Sequence, residues 1–124
     1  MQIVDANIIL RYFLNDQADL HQRAAGIIEG QDVWIPFEVV AEVVYVLEKL
    51  YVVPRNAIKL SLQMLISCEN ISVNDKAVLG KALQFFSKKN IDFVDALLLG
   101  YNHVKKHEVF SFDKGLNKLL LVEK

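Results

Sequence analysis

Residues 2–10 read Gln-Ile-Val-Asp-Ala-Asn-Ile-Ile-Leu, an apolar run interrupted at Asp5 and Asn7. Gln2 to Asp5 predicts a short strand and Asn7 to Leu14 a helix, with Asp5 at the junction. The same change of period recurs along the chain. Gln17 to Glu29 predicts a helix stopped by Gly30, Val33 to Ile35 a second strand, and Pro36 starts a long helix from Phe37 to Leu50. Pro54 resets the chain before a helix from Asn56 to Ser67, and Ile71 to Val73 is a third strand. Asn74 or Asp75 caps a helix running to Lys89, and Asp92 caps one running to Lys106. Val109 to Phe112 predicts a further strand, Gly115 to Leu119 a short helix, and Leu120 to Glu123 a last strand. Strands alternating with helices, with no internal repeat and no linker, predict an α/β fold. A single domain over residues 1–124 is expected, with a central, mostly parallel sheet and helices on both faces. In such sheets the carboxyl ends of the strands share one edge, where ligands bind.

Composition narrows the function classes. Hydrophobic residues make up 53% of the chain, above the roughly 45–50% of an average soluble domain. That excess predicts apolar surface covered by a second copy or a partner protein, or else a very well filled core. No apolar run approaches the roughly 20 residues of a membrane span, and the N-terminus lacks the basic segment of a signal peptide, so a cytoplasmic protein is expected. The single cysteine, Cys68, excludes an internal disulfide and a thiolate metal cage, and its apolar surroundings predict a core position. With 14 basic and 15 acidic residues the net charge is −1, so there is no general attraction for polyanions. Lys88 with Lys89 and Lys105 with Lys106 are local patches that could attract nucleic acid, or could complement helix dipoles.

Four acids then carry the chemistry. Asp5 follows the first strand and Asp113 follows Phe110-Ser111-Phe112, so each is either a helix or turn cap or a carboxylate at the ligand-binding end of the sheet. Glu42 lies midway along an otherwise apolar helix, in a narrow polar stripe of Glu38, Glu42, Tyr45 and Lys49. A carboxylate there must be paired, hold a metal or face water. Asp92 and Asp95 are three apart, the spacing of a cap and a first-turn acid, and Asp92 is expected to cap while Asp95 projects. Acids gathered together repel unless a divalent cation neutralises them, and oxygen ligands without cysteine favour Mg2+ or Mn2+. His21, His103 and His107 have no metal-ligand spacing to the acids and are expected in surface or helix-dipole roles.

These residues resemble the PIN-domain family, particularly the VapC-type toxins of toxin-antitoxin pairs. The likeness spans nearly the whole chain in order: Asp5 after the first strand with Asn7 two residues on, Glu42 in Glu42-Val43-Val44-Tyr45-Val46-Leu47, Asp95-Ala96-Leu97, and Ser111-Phe112-Asp113. The resemblance implies an acidic quartet of Asp5, Glu42, Asp95 and Asp113 holding the metal, with Asn7 and Ser111 as polar helpers. It also implies an endoribonuclease that leaves 5'-phosphate and 3'-hydroxyl ends, a homodimer, and silencing by an antitoxin protein. Two other readings compete. A haloacid-dehalogenase-like phosphatase also opens with an aspartate after the first strand, but needs a second one where Asn7 stands. A catalytically silent PIN-like module would bind protein or RNA through its surface alone.

Overall fold

In the computed structural model, β1 (Gln2–Ile3), β2 (Val33–Trp34) and β3 (Ile71–Ser72) form one parallel sheet in the order β1-β2-β3. Gln2 lies opposite Val33, and Val33 opposite Ile71. Parallel neighbours need long crossovers. The first is α1 (Ala6–Leu14) with α2 (Ala18–Gly30), and the second is α3 (Phe37–Lys49) with α4 (Arg55–Ile66). The structure describes the backbone of residues 1–123 and the side chains of residues 1–120. Within it the chain divides into two compact units, residues 1–74 and residues 75–124.

The N-terminal unit contains the sheet. Both residues of β1 are exposed, whereas Val33 of β2, Ile71 of β3 and Ile35 just beyond β2 are fully buried with Ile9, Val40, Val43, Ile58 and Leu62. Two asparagines distant in sequence close its helix ends. Asn74 Oδ1 accepts from the Phe37 N–H at 2.8 Å, serving the start of α3, where Pro36 offers no side-chain cap. Asn70 Nδ2 donates to the carbonyls of Ile28 and Gln31 at 2.6 and 2.9 Å, at the end of α2. Arg11 links α1 to the turn after α3, with Nη1 2.7 Å from Asp16 and Nη2 donating to the Tyr51 hydroxyl at 3.2 Å.

The C-terminal unit is helical, with α5 (Lys76–Lys88), α6 (Phe93–Lys105) and α7 (Lys114–Glu123). Asp75 caps α5 by accepting from the Val78 N–H at 3.0 Å, and Lys105 Nζ approaches its other oxygen at 3.2 Å. The amide hydrogen bond foremost, and Lys105 beside it, hold the Asp75 carboxyl below the usual range. Leu79, Ala82, Leu83, Ala96 and Leu99 are fully buried, and the Phe86 and Phe93 rings meet edge to face at 5.7 Å. The helices come close at Gly100, where an added Cβ would lie 2.8 Å from the Val78 carbonyl oxygen.

The expected helices and the first three strands form, most of their ends within a residue or two of the expected positions. Three expectations are corrected. Residues 109–112 form no strand: a ladder needs a paired neighbour, and Phe110 and Phe112 are 86% and 106% exposed. Leu120 to Glu123 is not a strand but the end of α7, because Asp113 starts a helix and Leu116 and Leu120, one turn apart, are both buried. Cys68 is exposed, since α4 ends at Ile66 and the thiol lies in the turn beyond. His107 lies beyond α6, which ends at Lys105. Among the described residues no helix is long and apolar enough to cross a membrane.

Candidate active site

In the N-terminal unit, the chain turns out of β1 through buried Val4 and reaches Asp5 in extended conformation, ready to begin α1. Its Oδ1 accepts from the Ile8 N–H at 3.1 Å. Asp5 therefore caps, as one of its two expected roles requires, and its second oxygen remains for other partners. It also borders an open cavity of about 570 Å³ whose walls include Ile3, Ile8, Ile27 and Val39, with Gln2 and Gln31 as polar members. Asn7 is exposed on the first turn of α1. Glu42 is exposed too, together with Glu38, Tyr45 and Lys49, while Phe37, Val40, Val43, Val44 and Leu47 are buried. Of the roles left open for Glu42, burial in an ion pair is thus excluded: its carboxylate faces solvent and makes no hydrogen bond or ion pair among the described residues.

In the C-terminal unit, Asp92 is the N-cap of α6, accepting from the Asp95 N–H at 2.8 Å. Asp95 stands one turn in, half-buried, as a first-turn acid. Burial first, then the charges of Asp92 and Asp113, push its carboxyl above the ordinary carboxylate range. Asp92 and Asp113 thus lie near enough for their charges to oppose ionisation of Asp95. Asp113 in turn caps α7, with Oδ1 accepting from the Leu116 N–H at 2.8 Å. Ser111 fixes the approach to it: its Oγ accepts from the Asp113 N–H at 2.9 Å, and its carbonyl accepts from Asn117 Nδ2 at 2.8 Å. The electrostatic part played by Asp92 was not anticipated beyond its capping role, although its spacing from Asp95 was the signal for it.

The donor chemistry fits a hard divalent cation. Asp95 carries an unfavourable charge that a cation would relieve, and Asp5 and Asp113 each use one oxygen for a cap and retain the other. Among the described residues no three or more His, Cys, Asp or Glu side chains are grouped so as to hold a metal ion. The histidines are engaged elsewhere: His21 Nδ1 lies 3.2 Å from the Arg11 carbonyl, and the His103 ring packs edge-on against Phe85.

A parallel sheet with helical crossovers in one unit, and helices begun by acidic residues in the other, are elements of an α/β protein. The particular family is shown by comparison: the PIN domain model matches residues 3–119, and the chain belongs to the PIN domain family, whose members are generally nucleases. No curated protein and no solved structure matches it.

Proposed function

We propose that residues 1–124 act as one metal-dependent endoribonuclease domain, in which Asp5, Glu42, Asp95 and Asp113 together hold Mg2+ or Mn2+ and cut RNA phosphodiester bonds. The observation that carries this is the match of residues 3–119 to a family whose members are generally nucleases, supported by the half-buried Asp95, whose charge is opposed by its burial and by Asp92 and Asp113. A phosphodiester is already anionic, and a bound divalent ion supplies charge neutralisation and Lewis acidity toward it. The four carboxylates hold and orient the ion. Asp5 and Asp113 do so from backbone positions fixed by their caps, which limits the reorganisation needed when substrate arrives. Ser111, already bonded to the Asp113 N–H, keeps that carboxylate in register, and Asn7 orients water or phosphate by hydrogen bonding.

The same proposal includes a cytoplasmic toxin that dimerises and is silenced by an antitoxin. Its support is exposed apolar surface in the N-terminal unit. Leu60 and Met64 stand one turn apart on α4, and Met64 borders a groove of about 520 Å³ with Tyr12, Phe13 and Leu65. The absence of a three-ligand group among the described residues favours a second reading, a PIN-like module that binds without cutting. One experiment separates the two. Purified wild type and Asp95→Asn are incubated with single-stranded RNA in Mg2+, in Mn2+ and in chelator. Cleavage by wild type in metal alone, abolished in Asp95→Asn, is the expected result. Intact RNA in every lane overturns the nuclease proposal.

A further inference from the structure

The segment between α6 and α7 leaves two aromatic rings in water. Phe110 is 86% exposed and Phe112 106%, and they flank Ser111 immediately before Asp113. Apart from Tyr45 and Tyr51, the other exposed large apolar residues among those described are aliphatic, whereas these two rings stand in a locally basic stretch. From residue 105 to 118 the chain has four lysines, Lys105, Lys106, Lys114 and Lys118, against Glu108 and Asp113, in a protein whose net charge is −1. Two of the lysines are already engaged: Lys105 with Asp75, and Lys106 Nζ with the His103 carbonyl at 2.9 Å. Lys114 and Lys118, one turn apart on α7, are exposed and make no ion pair among the described residues. Flat rings that present a π face, next to uncommitted cations, match the way proteins hold unpaired nucleic acid: bases stack on the rings and phosphates follow the cations. An aliphatic docking surface would have no need of either.

We propose that Phe110 and Phe112 form a stacking platform for unpaired bases of the RNA, positioning the strand at Asp113, with Lys114 and Lys118 on its phosphates. This rests on the nuclease proposal for the site but concerns different side chains. Stacking is tested through binding, independently of cleavage. A short single-stranded RNA containing a fluorescent adenine analogue is titrated with the full chain in chelator, with a gel confirming that the strand stays intact. Ring stacking quenches the analogue. Phe110→Leu and Phe112→Leu keep apolar bulk and lose the π face. Each is expected to weaken single-strand binding by roughly 5- to 150-fold and to reduce the quench. Phe→Tyr at the same positions restores both, and the same sequence in a duplex binds wild type more weakly.

Leu variants that bind and quench like wild type overturn the platform. So do Leu variants that change only self-association, which would mark an apolar docking surface. If wild type cuts RNA and the Leu variants keep its KM, the platform falls and the nuclease stands. If wild type binds single strands through the rings but cuts nothing, the nuclease falls and the platform stands. Wild type that binds no single strand removes the platform, and the cleavage assay in metal decides the nuclease separately.

Discussion

Replacing Gly100 by alanine tests the geometry that carries Asp95. Gly100 lies five residues beyond Asp95 on α6, at the place where an added Cβ would be 2.8 Å from the Val78 carbonyl oxygen and 3.4 Å from the Ala82 nitrogen. Both neighbours are backbone of α5 and cannot swing aside, so the helices must separate. Overpacking of this kind costs about 1–3 kcal/mol, and a clash against backbone belongs in the upper half of that range. Alanine in a helix interior returns about 1 kcal/mol relative to glycine, leaving a net loss of roughly 1–2 kcal/mol. Gly80 on α5 is the internal control. Nothing lies within 4 Å of its added Cβ, so Gly80→Ala keeps only the propensity gain and stabilises. Urea unfolding of the three proteins, compared at their midpoints with slopes checked for equality, measures the difference. A Gly100→Ala protein as stable as wild type, or one shifted in the same direction as Gly80→Ala, would refute the close approach of α5 and α6.

Other expectations can be checked with the same preparations. Because burial, Asp92 and Asp113 raise the Asp95 pKa, charging Asp95 opposes folding. Wild type and Asp95→Asn differ least below the unfolded carboxylate pKa, about 3.9. As pH rises through the higher folded value, wild type in chelator loses stability relative to the variant, and the gap is constant above it. Melting temperatures from about pH 3.5 to about pH 7.5 measure this, and a gap that stays flat or shrinks with pH contradicts it. Asp92→Ala removes the acceptor of the Asp95 N–H and should cost about 1 kcal/mol, whereas Asp92→Asn keeps that acceptor and should cost far less. The Cys68 thiol is exposed, so a thiol reagent should label the native protein as fast as the urea-unfolded chain; strong protection in the native state would place it back in the core.

What the sequence revealed depended on distance along the chain. The division of labour between Asp92 and Asp95 was legible because a cap and its amide partner are three residues apart. The polar stripe of α3 was legible for the same reason, since helix period converts spacing into a face. The choice between Asn74 and Asp75 as cap of α5 was not. Asp75 takes that role, and Asn74 instead serves Phe37, thirty-seven residues away, a pairing that no local pattern encodes. Val109 to Phe112 has strand composition, but a strand exists only through its neighbour's hydrogen bonds, which composition does not supply. The run Leu119-Leu120-Leu121-Val122 fits either period, and the cap at Asp113 decides for the helix. Of the candidate site, the order of the acids along the chain is a matter of sequence, whereas the upward shift of the Asp95 carboxyl required its half-burial, which no spacing encodes.

Asp5 and Asp113 begin helices with one oxygen, and Glu42 and Asp95 begin none. This inequality sets a direction for mutational drift. In a descendant released from selection for the proposed nuclease activity, positions 42 and 95 accept almost any helix-compatible residue at little cost to folding. Positions 5 and 113 would be confined to asparagine, serine or threonine, the residues that can still accept an amide hydrogen bond at a helix start. A decayed lineage would therefore keep polar side chains at 5 and 113 long after 42 and 95 had wandered, so that the order of loss records which carboxylates also served the fold.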